Sequence, residues 1–523
     1  MEALAWSMKP SPIAMSTHRF SSTPPRTTRF NVARCWAPGV CAVLWLLACS
    51  DHVAPRAGAA RLDPNPPATA MNANTPDRSA DPGANSAGTR ADPAPTVPSA
   101  PLPSAQGTNA GSEGSSVNAL DPSVSGDAPA AAGGEGTQVP AKPEPGTLLG
   151  TATRPQLDAA AAAQFDVLEY LASAGNLVTG LVRDNWDPTA GVGDVATFNA
   201  DFRVAAAGGT HTTVQAAITA AVTAGGTARR YIEVAAGTYR EVVCVPGGAP
   251  PLTLYSTSAD ASQTVIVFDN YSGKPKAAGV SANPCNANLN GATFGTGGSA
   301  TFGAFAAEFR AKNLSFVNDT DESAVAAGAA VQAVALIAQG DHQIYENVRV
   351  LGNQDTLFVK SPDVSTVTRA YFKGCFVEGD TDFIFGRATF VLDGCTIRSL
   401  TSRTAGGVVL APSTDSRNPF GILVTRTTFT ADATAGASST SLGRAWDESQ
   451  VDVPTYTANV QTGVFPNGQA VVRESTLGPH IQTTTPWRAA ATTSRAYSSV
   501  AGAVPANRFY EFANSGPGSG AAP

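Results

Sequence analysis

The chain has 523 residues, of which 14% are charged, and a formal net charge of −7. That length suits two to four average domains or one long one. The mild acidity excludes the basic face that nucleic-acid binding requires, and it gives no sign of an anionic substrate.

The first predicted element is an export signal over residues 1–49. Arg26, Arg29 and Arg34 form a positive region ahead of the apolar run "CWAPGVCAVLWLLACS" (35–50), which is too short to span a bilayer comfortably. The late position of the run points to a start at Met15. The run ends in "LLAC", which resembles a bacterial lipobox with Cys49 as the lipidated residue; an ordinary cleaved signal is the alternative. Ser50 after it suits the outer membrane, by resemblance to known sorting rules. Residues 50–150 are rich in Pro, Ala, Ser, Gly and Thr. They bury too little apolar surface to fold and are expected to be a disordered tether.

The folded body is expected over 151–523. "RPQLDAAAAAQFDVLEYLASAG" (154–175) reads as a helix, and "THTTVQAAITAAVTAGG" (210–226) as a second, short one. "RRYIEVAAGTYREVVCV" (229–245) reads as a strand, a Gly turn and a strand.

From about residue 300 one shape recurs. "KNLSF" (312–316), "ENVRV" (346–350), "KGCFV" (373–377), "DGCTI" (393–397), "TRTTF" (425–429) and "RESTL" (473–477) each place a turn-prone pair before alternating strand residues. Their starts lie 34, 27, 20, 32 and 48 residues apart. Coils of unequal loop length predict an all-β fold, a right-handed parallel β-helix with short N-terminal helices. A β-sandwich of similar strand density is the alternative.

Seven cysteines are present, three of them in the signal region. Cys244, Cys285, Cys375 and Cys395 would meet an oxidising compartment, which suits two disulfides; buried free thiols are the alternative. Cys375 and Cys395 occupy the same place in consecutive repeats and would stack within bonding reach. The expected pairs are Cys375–Cys395 and Cys244–Cys285. No Cys/His cluster suggests a metal, and no cofactor is expected.

Asp355 in "LGNQDTLF" and Asp382 in "EGDTDFIFGR" are 27 residues apart, as are the repeat positions Asn347 and Gly374. The two aspartates therefore fall at equivalent places on neighbouring coils, about 4.8 Å apart. Two carboxylates so close do not both ionise easily, so one holds a proton while the other stays an anion. That division suits a general acid beside a nucleophile. Gln354, and Gln332 about one coil earlier, offer amide N–H groups for an oxyanion; a structural amide ladder is the alternative. Arg444 in "SLGRAW" offers a counter-charge and Trp446 a face for a sugar ring. Phe358 and Phe385 fit either a substrate platform or the core.

"VQAVAL" (331–336), "GNQDTLF", "GDTDFIFG" and "LGRAW", in this order, resemble the signature blocks of pectinesterases, carbohydrate esterases with a β-helix fold. "GTYREVV" (237–243) resembles an early block, and the similarity spans roughly 205–480. The 154–207 segment and "PWRAAATTSRAY" (486–497) resemble a bacterial branch that includes lipoproteins related to acyl-CoA thioesterases. The resemblance implies that Asp382 attacks the methyl ester of a galacturonate unit in homogalacturonan. Gln332 and Gln354 would steady the oxyanion, Asp355 would serve as acid and then base, and Arg444 would orient Asp382. Trp446, Phe385 and Phe358 would line the sugar groove. Ala445, Phe358, Thr381 and Asp380 depart from the family's usual residues and bear on substrate grip and pH response.

Other classes fit poorly. No G-x-S-x-G elbow is present, no calcium-binding carboxylate cluster of the pectate-lyase kind is evident, and none of the five histidines lies in a motif. The expected protein is an exported, lipid-anchored monomer acting on methyl-esterified pectin. A thioesterase or a carbohydrate-binding protein on the same scaffold are the alternatives.

Overall fold

The computed structural model describes residues 142–401 and 406–520. The expected signal, Cys49 and most of the tether lie outside the described residues. The first strand, Leu149–Thr151, begins just ahead of the expected boundary at 151.

Three long sheets wind around a common interior, one of twelve strands and two of eight. Each coil gives a strand to each sheet, and successive coils pair in parallel. Along one sheet Val350 pairs with Val377, Val377 with Ile397, and Ile397 with Phe429. Stacking like on like turns the inward residues into continuous ladders, so one apolar core runs from Val204 to Phe509. Tyr345 and Phe372 stack in it at 4.6 Å between ring centroids. Parallel pairing between successive coils is the β-helix and excludes the sandwich.

The recurring sequence shape is the corner between two sheets. Asn313, Asn347, Gly374, Gly394, Arg426 and Glu474 hold the same place in the six repeats, and all have φ between 49° and 61°. Asn tolerates this left-handed backbone because its amide bonds locally; here Asn347 Nδ2 donates to Asn313 Oδ1 one coil back at 2.8 Å. Arg426 sits there anchored by its fork on Asp393, at 2.9 and 2.6 Å.

Three local expectations need correction. Residues 154–175 are not one helix but a strand, two short helical turns, a helix, Val167–Ala172, and the start of a further strand, Ser173–Asn176. Asp158 caps the first turn through Ala161 N–H at 2.8 Å, and Asp166 caps the last helix through Glu169 N–H at 2.9 Å. An acceptor in mid-pattern restarts the helix. The segment then lies on the outside of the twelve-stranded sheet, with Phe165, Tyr170 and Leu171 against Ile344, Tyr371 and Leu423.

Residues 229–245 form three strands, not two: Arg230–Val234, Gly237–Arg240 and Val243–Val245. They are one complete coil, one strand on each face. The second expected helix is present as Val214–Ala224. It sets Val214, Ala217, Ile218 and Ala221 into the core, where each aliphatic side chain larger than Ala contributes about 1.5–3 kcal/mol.

The third correction concerns the cysteines. Cys244 and Cys285 are bonded, but Cys375 and Cys395 are free buried thiols. They do stack on consecutive coils. In-register stacking makes their side chains parallel rather than convergent, and each thiol donates to a carbonyl, Tyr345 O and Phe372 O, at 3.4 Å. The thiols are the first rungs of a ladder inside the core. Cys375 N–H donates to Cys395 Sγ at 3.3 Å, Cys395 N–H to Thr427 Oγ1 at 3.2 Å, and Thr427 N–H to Ser475 Oγ at 3.1 Å. Backbone groups left over at the corners are satisfied this way.

Candidate active site

The site lies on the outward face of one eight-stranded sheet, over the strands Leu357–Val359, Thr381–Gly386, Val408–Pro412 and Ser441–Arg444. Leu357 pairs with Ile384 and Phe358 with Phe385, a register of 27 residues, so Asp355 and Asp382 occupy equivalent places on adjacent coils. Asp355 N–H donates to Thr381 O at 3.1 Å.

Asp382 stands among apolar residues because its strand is bulged. Thr381 pairs with Val408 but Ile384 with Leu410, so one extra residue is absorbed between them. Asp382 takes φ 49°, and Phe383 and Ile384 both turn into the core. The bulge aims the carboxylate outward while its neighbours stay buried. Asp355 takes the same left-handed backbone, with φ 64°. Such conformations in residues other than glycine are costly and mark functional sites. Gly386 ends the strand at φ 132°, where a Cβ would strike the Val359 carbonyl, so glycine is required there.

The two carboxylates differ electrically. Arg444 grips Asp382 in a fork, Nε to Oδ1 at 2.8 Å and Nη2 to Oδ2 at 2.6 Å. Burial works against the guanidinium's charge, but the Asp382 carboxylate more than offsets it and holds Arg444 above its ordinary pKa. Among the described residues Asp355 has no such fork. Burial pushes its pKa well above the usual carboxylate range, and the charge of Asp382 pushes it further; Arg444 opposes this in part. Asp355 thus keeps its proton to higher pH than an ordinary carboxylate does.

Gln332 and Gln354 line the same cleft. The backbone of Gln332 is fixed through its main-chain carbonyl, which accepts from Ser272 N–H at 2.7 Å, and that of Gln354 through Ala333 N–H to its main-chain carbonyl at 3.1 Å. Among the described residues their side-chain amides form no ladder, and Gln332 Oε1 is buried without a hydrogen-bond partner. Both N–H donors therefore remain for a ligand.

Phe358 and Phe385 stack at 4.3 Å, and Trp446 meets both edge-on at 6.0 and 5.5 Å. Phe358 and Phe385 are buried, but in a small apolar cluster outside the main core. They form a floor for the cleft, with Trp446 only partly covered beside them.

All eight residues expected from the sequence thus meet in one cleft. Thr296, Ala411, Ala491 and Thr492 also line it, and the sequence reading assigned them no place there. Ala491 and Thr492 belong to "PWRAAATTSRAY", whose docking on Ala445, Ala491 N–H to its carbonyl at 2.8 Å, is set by tertiary packing. Thr296 sits on the long excursion tied down by the Cys244–Cys285 bond; no local pattern distinguishes it.

A family model, Pectinesterase, matches residues 201–474. A pectinesterase of Ralstonia solanacearum is 49% identical over 374 residues, 71% of this chain and 92% of that protein. The solved rice weevil pectin methyl esterase superposes with a TM-score of 0.60 at 32% identity, over 71% of this chain and 99% of its own. The Escherichia coli YbhC structure gives the same TM-score at 29% identity, over 73% of this chain and 99% of its own. With more than half its length inside the family model and near-complete coverage of its relatives, this chain belongs to the pectinesterase family.

Proposed function

We propose that the protein hydrolyses the methyl esters of homogalacturonan, releasing methanol and leaving demethylated pectin, and so modifies cell-wall pectin. The observation that carries this reading is the unequal aspartate pair: Asp382 gripped by the Arg444 fork, and Asp355 pushed towards its protonated form.

Asp382 attacks the ester carbonyl carbon, and the amide N–H groups of Gln332 and Gln354 receive the negative oxygen. As the tetrahedral intermediate collapses, Asp355 gives its proton to the departing methoxide, and methanol leaves an anhydride on Asp382. Asp355, now a carboxylate, takes a proton from water as the water attacks that anhydride. Collapse frees the galacturonate carboxylic acid and restores both aspartates. Arg444 orients Asp382, and Phe358, Phe385 and Trp446 supply apolar faces for the sugar rings.

The thioester alternative has weaker support, because the 49% identity is to a pectinesterase. Methanol release from highly methylated pectin, set against acyl-CoA hydrolysis, decides between them. Release that disappears in Asp382→Asn supports the reading; acyl-CoA hydrolysis alone rejects it.

The proposal extends to placement. The chain is exported, Cys49 carries lipid, residues 50–150 tether a monomeric catalytic body, and the anchor lies in the outer membrane. The sequence "LLACS" and the composition of the tether support this. Metabolic labelling with a radioactive fatty acid tests it: loss of label in Cys49→Ala is expected, and an unlabelled parent protein rejects lipidation.

A further inference from the structure

The turn that carries Gln354 and Asp355 is held by its peptide groups. Asp355 has φ 64°, a conformation that persists only where the surroundings fix it. The Gln354–Asp355 peptide is anchored on both sides. Its carbonyl accepts from Ala333 N–H at 3.1 Å, and its N–H donates to Thr381 O at 3.1 Å. The peptide before it, Asn353–Gln354, presents its carbonyl to Asp380 N–H at 3.1 Å. Those three partners are main-chain groups, which the stacking of coils supplies whatever the side chains are. The fourth group is held differently. Gln354 N–H donates to a side chain, Glu322 Oε1, at 3.3 Å.

Glu322 comes from the preceding coil. It opens the turn Glu322–Ala324, on the excursion that leaves the strand Ser315–Asn318 and rejoins the site-bearing sheet at Leu336–Ala338. The same excursion delivers Gln332 to the cleft and Ala333 to the Gln354 carbonyl. Between these contacts residues 323–330 are mostly exposed. The excursion therefore grips both backbone groups of Gln354, the N–H near its start and the carbonyl near its end.

Glu322 also acts on Asp355 through its charge. Burial does most to raise the pKa of Asp355, and Asp382 comes next. Arg444 opposes the rise, and Asp380 and Glu322 add to it. A carboxylate seated on Gln354 N–H thus disfavours the anion of the neighbouring aspartate.

We propose that Glu322 is a positioning residue for the ester hydrolysis: its carboxylate clamps Gln354 N–H, fixes the amides of Gln332 and Gln354 relative to one another, and presents a negative charge to Asp355. This rests on the pectinesterase reading above and deepens it. Glu322 acts through Gln354 and Asp355, not on the ester itself.

Two substitutions separate the hydrogen bond from the charge. Glu322→Gln keeps an acceptor for Gln354 N–H and removes the charge, whereas Glu322→Ala removes both. For these and the parent, kcat and KM for methanol release from highly methylated pectin are measured across pH. In Glu322→Ala kcat at the optimum should fall about tenfold with little change in KM, the effect of loosening one hydrogen bond behind a group that acts in the transition state. Glu322→Gln should recover that kcat, but its alkaline limb should lie at lower pH than the parent's. Removing a negative charge lets Asp355 ionise more readily, and Asp355 must hold its proton for methanol to depart. A kcat in Glu322→Ala equal to the parent's overturns the proposal, and so does a Glu322→Gln profile that superimposes on the parent's.

Hydrogen exchange gives a readout without substrate. Exchange of Gln354 N–H in the whole protein should be about tenfold faster in Glu322→Ala than in the parent, and close to the parent's in Glu322→Gln. An unchanged rate in Glu322→Ala overturns the clamp. A parent protein that releases no methanol rejects the esterase reading, and the exchange rates still decide whether Glu322 holds Gln354.

Discussion

Arg444 holds Asp382 by two hydrogen bonds of 2.8 and 2.6 Å, while Asp355, one coil away, has no guanidinium fork of its own among the described residues. One cation shared unequally between two carboxylates sets their roles. Replacing Asp382 by Asn should abolish methanol release. It also removes a partly buried charge from a forked pair, leaving Arg444 unpaired, at a cost of about 3–5 kcal/mol in stability. Chemical denaturation of the purified variant checks the second effect independently of the first. A variant that keeps full activity moves the nucleophile elsewhere.

The second prediction concerns pH. Asp355 must be protonated to assist methanol departure, and burial with Asp382 raises its pKa. Methanol release should therefore fall as pH rises through that raised value, and Asp355→Asn should lose the limb along with about 10²–10⁴-fold in rate. The stability effect has the opposite sign to that of an ordinary ion-paired aspartate. A carboxyl whose pKa is higher in the folded chain binds its proton more tightly there. Its contribution is intact below the unfolded value near 3.9 and is lost as pH rises from there through the folded value. Melting temperature against pH should fall less steeply across that window in Asp355→Asn than in the parent.

The amides give a third prediction. Gln332→Ala and Gln354→Ala should each lower kcat by about 10²–10³-fold with little change in KM, since an oxyanion donor acts on the transition state. A rise in KM at unchanged kcat would reassign them to ground-state binding.

Much of this site was legible because coil length is visible in the sequence. The 27-residue separation of Asp355 and Asp382 equals that of two corner residues, Asn347 and Gly374, and the strands do pair with that offset. What the sequence did not show was the direction of side chains. Simple alternation puts Asp382 and Ile384 on one side, and only the bulge parts them. Equivalent repeat positions brought Cys375 and Cys395 together, but stacking in parallel aims two thiols alike, which a disulfide does not allow. Thr296 and Thr492 come from excursions whose course depends on packing against other coils.

The cysteines supply the fourth prediction. Chemical labelling under native conditions should leave Cys375 and Cys395 unmodified, and unfolding should expose two thiols in the catalytic body. Cys395→Ser should be tolerated, since a hydroxyl can accept from Cys375 N–H, whereas Cys395→Ala should cost about 1–3 kcal/mol by leaving that donor unsatisfied. Removing the Cys244–Cys285 bond, which closes a span of 41 residues, should cost about 4 kcal/mol on the chain-entropy account. It should also raise KM, because the freed excursion carries Thr296.

The placement of the two aspartates on adjacent coils has an evolutionary consequence. Their spacing is fixed by backbone pairing between Leu357–Val359 and Thr381–Gly386, not by the connection that joins those strands. Insertions and deletions in the intervening loops change what surrounds the cleft without moving the reacting groups. A lineage built on this scaffold is free to vary its choice of polymer through loop length alone, while the catalytic distance is inherited unchanged from the stacking of the coils.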